Sequence, residues 1–394
     1  MFEKVFIGGR LYKAWILLLL AIIGAGFICY LLQWFYGLGI TGMSRDVSWG
    51  LYIANFTFFV GVAASAVMVV LPYYLHNYKA FGRITTLGEF LAVAAVIMCI
   101  LFVTIDLGQP TRIFNIILHP SPSSILFWDV IVLSAYLLLN LVIAWHVLNA
   151  QRNGEAPKAW VKPLILISIP VAISIHTVTA FIYSGLAARP FWLEALMAPR
   201  FLASAFASGP ALLIIACLII KRFARFDCGK EALQKLAQIV AYATIATVFF
   251  FVVEIFTVFY SQVPEDMIHF KYLLFGVDGK TAIVPWMWTT IIFWIAAIAL
   301  LLIPRTRKRE KTLAIAAVLV FVSMWIDKGL GLLMPGFIPS PLGGLTEYFP
   351  TVPEAFITLG VWGIGFLVLT IFYKITISVK KEIGEDEPAT TVPP

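Results

Sequence analysis

Residues 162–192, KPLILISIPVAISIHTVTAFIYSGLAARPFW, decide the fold. The stretch opens on Lys162 and Pro163, stays apolar for about one bilayer thickness, and ends near Arg189 and Trp192. Near its middle sits His176, the one histidine of five that falls well inside an apolar run. An ionisable group at that depth is costly to bury, so it marks a functional site unless it only hydrogen-bonds a neighbouring helix.

The rest of the 394-residue chain has the same character. Hydrophobic residues make up 61% and charged residues 12%, about half the charge of a soluble domain. Apolar runs of twenty or more recur, which predicts an all-α, polytopic membrane protein with no soluble domain. Ten spans are expected, at 14–36, 48–75, 84–107, 124–149, 162–187, 200–222, 233–262, 283–304, 312–334 and 353–379. The first reads as a retained helix rather than a cleaved signal. Residues 382–394 read as a disordered tail.

Lys and Arg sort by side. The N-terminus, the C-terminus and the loops after even-numbered spans hold 21, the other loops hold 6, and Lys328 lies within a span. That bias places both termini in the cytoplasm of an inner-membrane protein. The net charge of +7 is therefore loop charge and not a nucleic-acid footprint. The outer loops are long, weakly charged and rich in Pro, Gly and aromatics, as in AARPFWLEALMAPR (187–200) and PGFIPSPLGGLTEYFPTVPE (335–354). They suit either membrane-surface segments or a docking platform, with Phe191 and Trp192 as its expected anchors.

An offset of about 150 residues pairs Asp106 with Glu254, His176 with Asp327 and Asn55 with Ser204. Four spans separate the copies, so 48–187 and 200–334 are expected to form two parallel four-helix bundles. The helices at 14–36 and 353–379 would flank them.

At 1.5 Å per residue, His176 lies near the midplane, and Asp327 about 6 Å outward of its span's centre. Asn55 and Glu254 lie about 9 Å outward, Asp129 about 10 Å and Asp106 about 15 Å. The buried polar groups thus gather beneath the long loops. In the inner half only Glu89 and His146 are placed to carry protons from the cytoplasm, and both also fit interfacial positions. The four cysteines form no C-x-x-C pair, and His176 has no histidine at matching depth. The residues therefore predict no iron–sulfur cluster and no bis-histidine haem in this chain, and no metal site.

Five motifs in order resemble the NrfD-like family, the membrane subunits of polysulfide reductases and related quinone-linked complexes. They are DVSWGLYIANFTFFVG (46–61), TIDLGQPTRIFNI (104–116), SSILFWDVIVLSAY (123–136), SIHTVTAFIYSGLAARPFW (174–192) and TEYFPTVPEAFITLG (346–360). The ten-span plan and the final YFPT-x-x-E element resemble that family's hydrogenase- and sulfite-reduction-associated branch. The resemblance implies a quinone-reactive subunit (menaquinone as the quinone) docked on its outer side to a ferredoxin-like iron–sulfur protein. Other haem- or cluster-bearing subunits would complete the complex. It carries the quinone site to His176, Asp106 and Asn55, then to Trp49, Tyr52 and Asp129. Glu89, Glu254 and Asp327 are the expected members of a proton path. The competing reading is a ten-span transporter with a midplane site in broken helices.

Overall fold

A computed structural model describes residues 2–384. Among these, ten helices are long and apolar enough to cross a membrane. They are Arg10–Ile40, Leu51–Tyr74, Lys79–Asp106, Ile125–Asn153, Val161–Ser184, Met197–Ala224, Lys230–Ser261, Val284–Leu302, Glu310–Phe337 and Val352–Glu382, hereafter spans one to ten. The expected all-α, ten-span fold is observed, with ends shifted by a few residues. Span ten runs into the stretch expected as a tail, of which residues 385–394 lie outside the described residues.

Spans two to five pack in a ring, and so do spans six to nine. Spans two and six join the rings, while spans one and ten pair along one flank. Burial follows this plan. Span two is buried over 94% of its most apolar window and span one over only 11%, so span two is the hub and span one faces lipid. Close approach at the hub requires small side chains. A Cβ on Gly209 of span six would lie 2.8 Å from the Ser65 nitrogen and the Val62 carbonyl of span two. Backbone thus meets backbone, as small residues allow between membrane helices.

Two spans are interrupted. Span two turns at Ala64 between Leu51–Ala63 and Ser65–Tyr74, and the Tyr136 hydroxyl of span four donates to the Ala63 carbonyl at 3.2 Å. A side chain thereby fills a bond that membrane hydrocarbon cannot supply. Span nine widens into a π-helical turn over Ile326–Gly331. The wide turn buries both Asp327 and Lys328, which a regular helix would point about 100° apart.

The odd-numbered connections fold together over one face. Glu354 opens span ten with a capping box on Thr351. Its carboxylate also accepts from Gly42 N at 3.0 Å and Leu51 N at 3.3 Å, and from the Tyr348 hydroxyl. Burial first, and the Glu354 charge second, push the Tyr348 hydroxyl above its ordinary pKa. One carboxylate therefore staples the loops before spans two and ten. The opposite face carries both described chain ends, joined by a Lys4–Glu382 ion pair. It is tied further by Lys221–Glu310 at 2.5 Å.

Candidate functional site

Span five presents His176, Thr179 and Tyr183 at spacings of three and four, hence on one face. All three are buried. Thr179 Oγ1 lies 2.7 Å from Asp129 Oδ1 of span four and 2.7 Å from the Ile175 carbonyl. A hydroxyl has one proton for these two acceptors. An ionised Asp129 must share it, and a protonated Asp129 supplies the second bond itself. The Tyr183 hydroxyl bonds Thr57 of span two. Trp49 packs on Tyr183 at 5.6 Å and stacks on Trp192 at 5.7 Å, while Phe337 closes the same roof.

His176 has no exposed surface, and neither ring nitrogen has a hydrogen-bond partner among the described residues. Most buried polar groups in folded proteins are paired, so an orphan of this kind calls for a physical reason. Lys328 of span nine is in its neighbourhood. Lys328 Nζ itself donates to the Phe201 carbonyl at 3.1 Å and lies 4.3 Å from the centre of the Phe201 ring.

Asp106 belongs to a second group, at the loop-side end of span three. Tyr52 donates to Gln33 Oε1 at 2.7 Å, and Gln33 donates to the Ile105 carbonyl at 2.6 Å. Asp106 Oδ1 is buried without a partner. A polar crevice of about 90 Å³ opens beside it between spans one and three, lined by Gln33, Leu38, Leu107 and Gln109. Asp129 meets Thr179 rather than His176 directly.

The other expected residues sit elsewhere. Asn55 uses its amide oxygen on Trp325 Nε1 at 3.0 Å and Trp362 Nε1 at 2.9 Å, and its nitrogen on the Leu51 carbonyl at 2.7 Å. It thereby ties spans two, nine and ten. Glu254 and Asp327 are clamped by one guanidinium. Arg200 Nη1 lies 2.5 Å from Glu254 Oε2, and Arg200 Nη2 lies 2.9 Å from Asp327 Oδ1. Glu89 is 1% exposed, and neither carboxylate oxygen has a hydrogen-bond partner among the described residues. Tyr136 and Tyr74 are the tyrosines in the neighbourhood of Glu89.

Phe191 and Trp192 do not form an exposed docking surface as expected. A short turn over Pro190–Trp192 drives both inward, to 6% and 0% exposure. Trp192 Nε1 donates to the Leu332 carbonyl at 2.9 Å, and Phe191 packs on Phe270. Arg200, Tyr136 and Tyr183 are the participants that the sequence reading missed. Among the described residues no group of three or more His, Cys, Asp or Glu is arranged to hold a metal ion.

Fold and site together define a ten-helix membrane protein with orphaned ionisable groups beneath a lid of aromatic loops. The chain belongs to the polysulphide reductase NrfD family, whose profile matches residues 39–338. A protein of Halobacterium salinarum described as the membrane subunit of a dimethyl sulfoxide reductase is 28% identical, over 92% of this chain and 90% of its own. A selenate reductase subunit of Mesobacillus selenatarsenatis is 24% identical over 88% and 89%. The Hdr-like menaquinol oxidoreductase integral membrane subunit of Archaeoglobus fulgidus is 23% identical over 95% of each chain.

Proposed function

We propose that this chain is the quinone-reactive membrane subunit of a respiratory oxidoreductase. It exchanges electrons between a quinone, menaquinone by preference, and a ferredoxin-like iron–sulfur subunit docked on its loop-rich face. The similarity to a menaquinol oxidoreductase subunit supports the choice of quinone. The observation that carries the reading is His176, fully buried with both nitrogens unpartnered beneath the Trp49–Trp192 roof. A quinone supplies two carbonyls that need hydrogen-bond donors and take up protons with electrons. His176 fits that need because one ring N–H is free to donate.

Around it, Asp129 and Thr179 hold or release a proton, as their shared hydroxyl bond allows. Asp106 precedes Leu107, which lines the crevice beside Gln33. Trp49 and Tyr183 form an apolar wall that excludes water and orients a flat ring. Tyr52 is spoken for by Gln33, and Asn55 by two indoles, so both act here by positioning. Protons enter from the basic face at Glu89. Tyr136 extends the route into the stretch of span three that lacks polar side chains, standing two helical turns from Asp129 on the same face of span four. Glu254 and Asp327 are held by Arg200 and are not free carriers.

The basic face is the cytoplasmic one, by its excess of Lys and Arg. Within the family, the segment GLLMPGFIPSPLGGLTEYFPT (331–351) is similar to that of DsrP, the membrane subunit of a complex of dissimilatory sulfur metabolism. We therefore place the chain in such a complex. Purification under mild detergent tests the reading. The chain should emerge with cluster- or haem-bearing subunits and support quinol-linked turnover. A chain that emerges alone and moves a solute across liposomes would instead be a transporter.

A further inference from the structure

A groove of about 600 Å³ runs between spans four and ten, on the half of the molecule nearer the basic face. Leu141, Trp145 and His146 line one wall, and Val368, Ile371 and Phe372 the other. Leu138, one turn from Leu141, is 61% exposed, so this side of span four looks sideways into the bilayer. Hydrocarbon, not water, meets such a surface in a membrane protein.

The mouth of the groove is basic. Arg152 lies six residues beyond His146, about 9 Å further along span four. Span ten ends at Glu382 on this same basic face. Trp160, from the connection to span five, stands edge-on to the His146 ring at 4.6 Å. Lys158 and Lys162 flank Trp160, and they and Arg152 are exposed. Glu155 is the acidic side chain among them, and Glu382 is already paired with Lys4. An apolar trough that ends near an indole, with exposed basic residues in the adjoining chain, matches the depth profile of a lipid: tail, interface, phosphate.

We propose that this groove binds an anionic phospholipid, with an acyl chain in the trough and its phosphate on Arg152, Lys158 and Lys162. These basic residues select this occupant over a zwitterionic lipid, and the apolar trough, open sideways to the bilayer, takes its tail. Binding here also braces the neighbourhood of Glu89. Phe372 in the groove wall stacks on Phe90 at 4.4 Å and 7°, and Phe90 follows Glu89 in span three.

Delipidated protein in non-ionic detergent, titrated with phosphatidylglycerol or with phosphatidylcholine of identical chains, tests the proposal. Native mass spectrometry and thermal unfolding read the result. Phosphatidylglycerol should bind as one retained molecule and raise the midpoint, with affinity falling as salt rises. Each of Arg152→Gln, Lys158→Gln and Lys162→Gln should weaken it by about fivefold. Val368→Trp, which fills the trough and leaves the basic side chains in place, should abolish retention of the lipid. Equal affinity for the two lipids, a triple Gln variant with unchanged affinity, or a quinone displacing the phospholipid from the groove would overturn it.

Discussion

Two sets of buried titratable side chains are treated oppositely in this molecule. In the second ring, Arg200 reaches across to Glu254 and Asp327 with both arms of its guanidinium, and Lys328 finds the Phe201 carbonyl and ring. In the first ring, His176 and Glu89 are as fully buried and have no hydrogen-bond partner among the described residues. The pairing is geometric: the wide turn of span nine aims Asp327 and Lys328 at the adjacent residues Arg200 and Phe201 of span six. The comparison separates architecture from function. A satisfied charge cluster holds helices together, whereas an unsatisfied group retains bonding capacity for something that arrives.

The contrast can be broken most forcefully at Arg200. Arg200→Met leaves two buried carboxylates facing each other, which should cost about 3–5 kcal/mol. Little folded protein should survive in detergent, and adding Glu254→Gln and Asp327→Asn should recover much of it. Glu354→Gln should cost about 1.5–3 kcal/mol, because an amide cannot accept all the N–H groups now facing the carboxylate. The loss should appear as a lower unfolding midpoint with spans intact.

Glu89 sharpens the comparison from the other side. Replacing this carboxylate by Gln removes no hydrogen bond but takes a counter-charge from buried Lys380, so stability should change by no more than about 1 kcal/mol. In proteoliposomes the voltage generated by quinone turnover should fall in Glu89→Gln. Unchanged voltage and turnover would make Glu89 a bystander.

The smallest effect belongs to the loop-side helix Pro264–Leu274. Burial lowers the pKa of its His269, although its bond to the Pro335 carbonyl at 2.8 Å pulls the other way. The unfolded chain therefore binds the proton more readily. The stabilisation is complete above about pH 6.5, the unfolded value, and is lost as pH falls through the lower folded value. Midpoints measured at pH 7.5 and 5.5 should converge in His269→Gln.

The spans were legible because an apolar run of bilayer length can hardly be anything but a membrane helix, and His176 was legible because an imidazole interrupts one of them. Arg200 was not, since a basic residue after Pro199 reads as the end of a helix rather than its buried first turn. Tyr136 and Tyr183 count as apolar in a hydropathy reading, so their hydroxyl bonds to the Ala63 carbonyl and Thr57 left no trace. Glu89 looked interfacial by distance from the predicted helix end. The observed span begins earlier, and neighbouring helices cover it. Phe191 and Trp192 looked exposed because nothing in a loop's composition says which way its turn faces.

His176→Leu tests the central claim most directly, measured in the assembled complex with a menaquinol analogue on one side and an artificial acceptor on the soluble subunits on the other. Quinone-linked turnover should fall by about 10²-fold or more, while assembly, unfolding midpoint and soluble-subunit activity stay at their original values. A folded, assembled His176→Leu complex that turns over quinone at the original rate would place the quinone chemistry elsewhere and contradict the account.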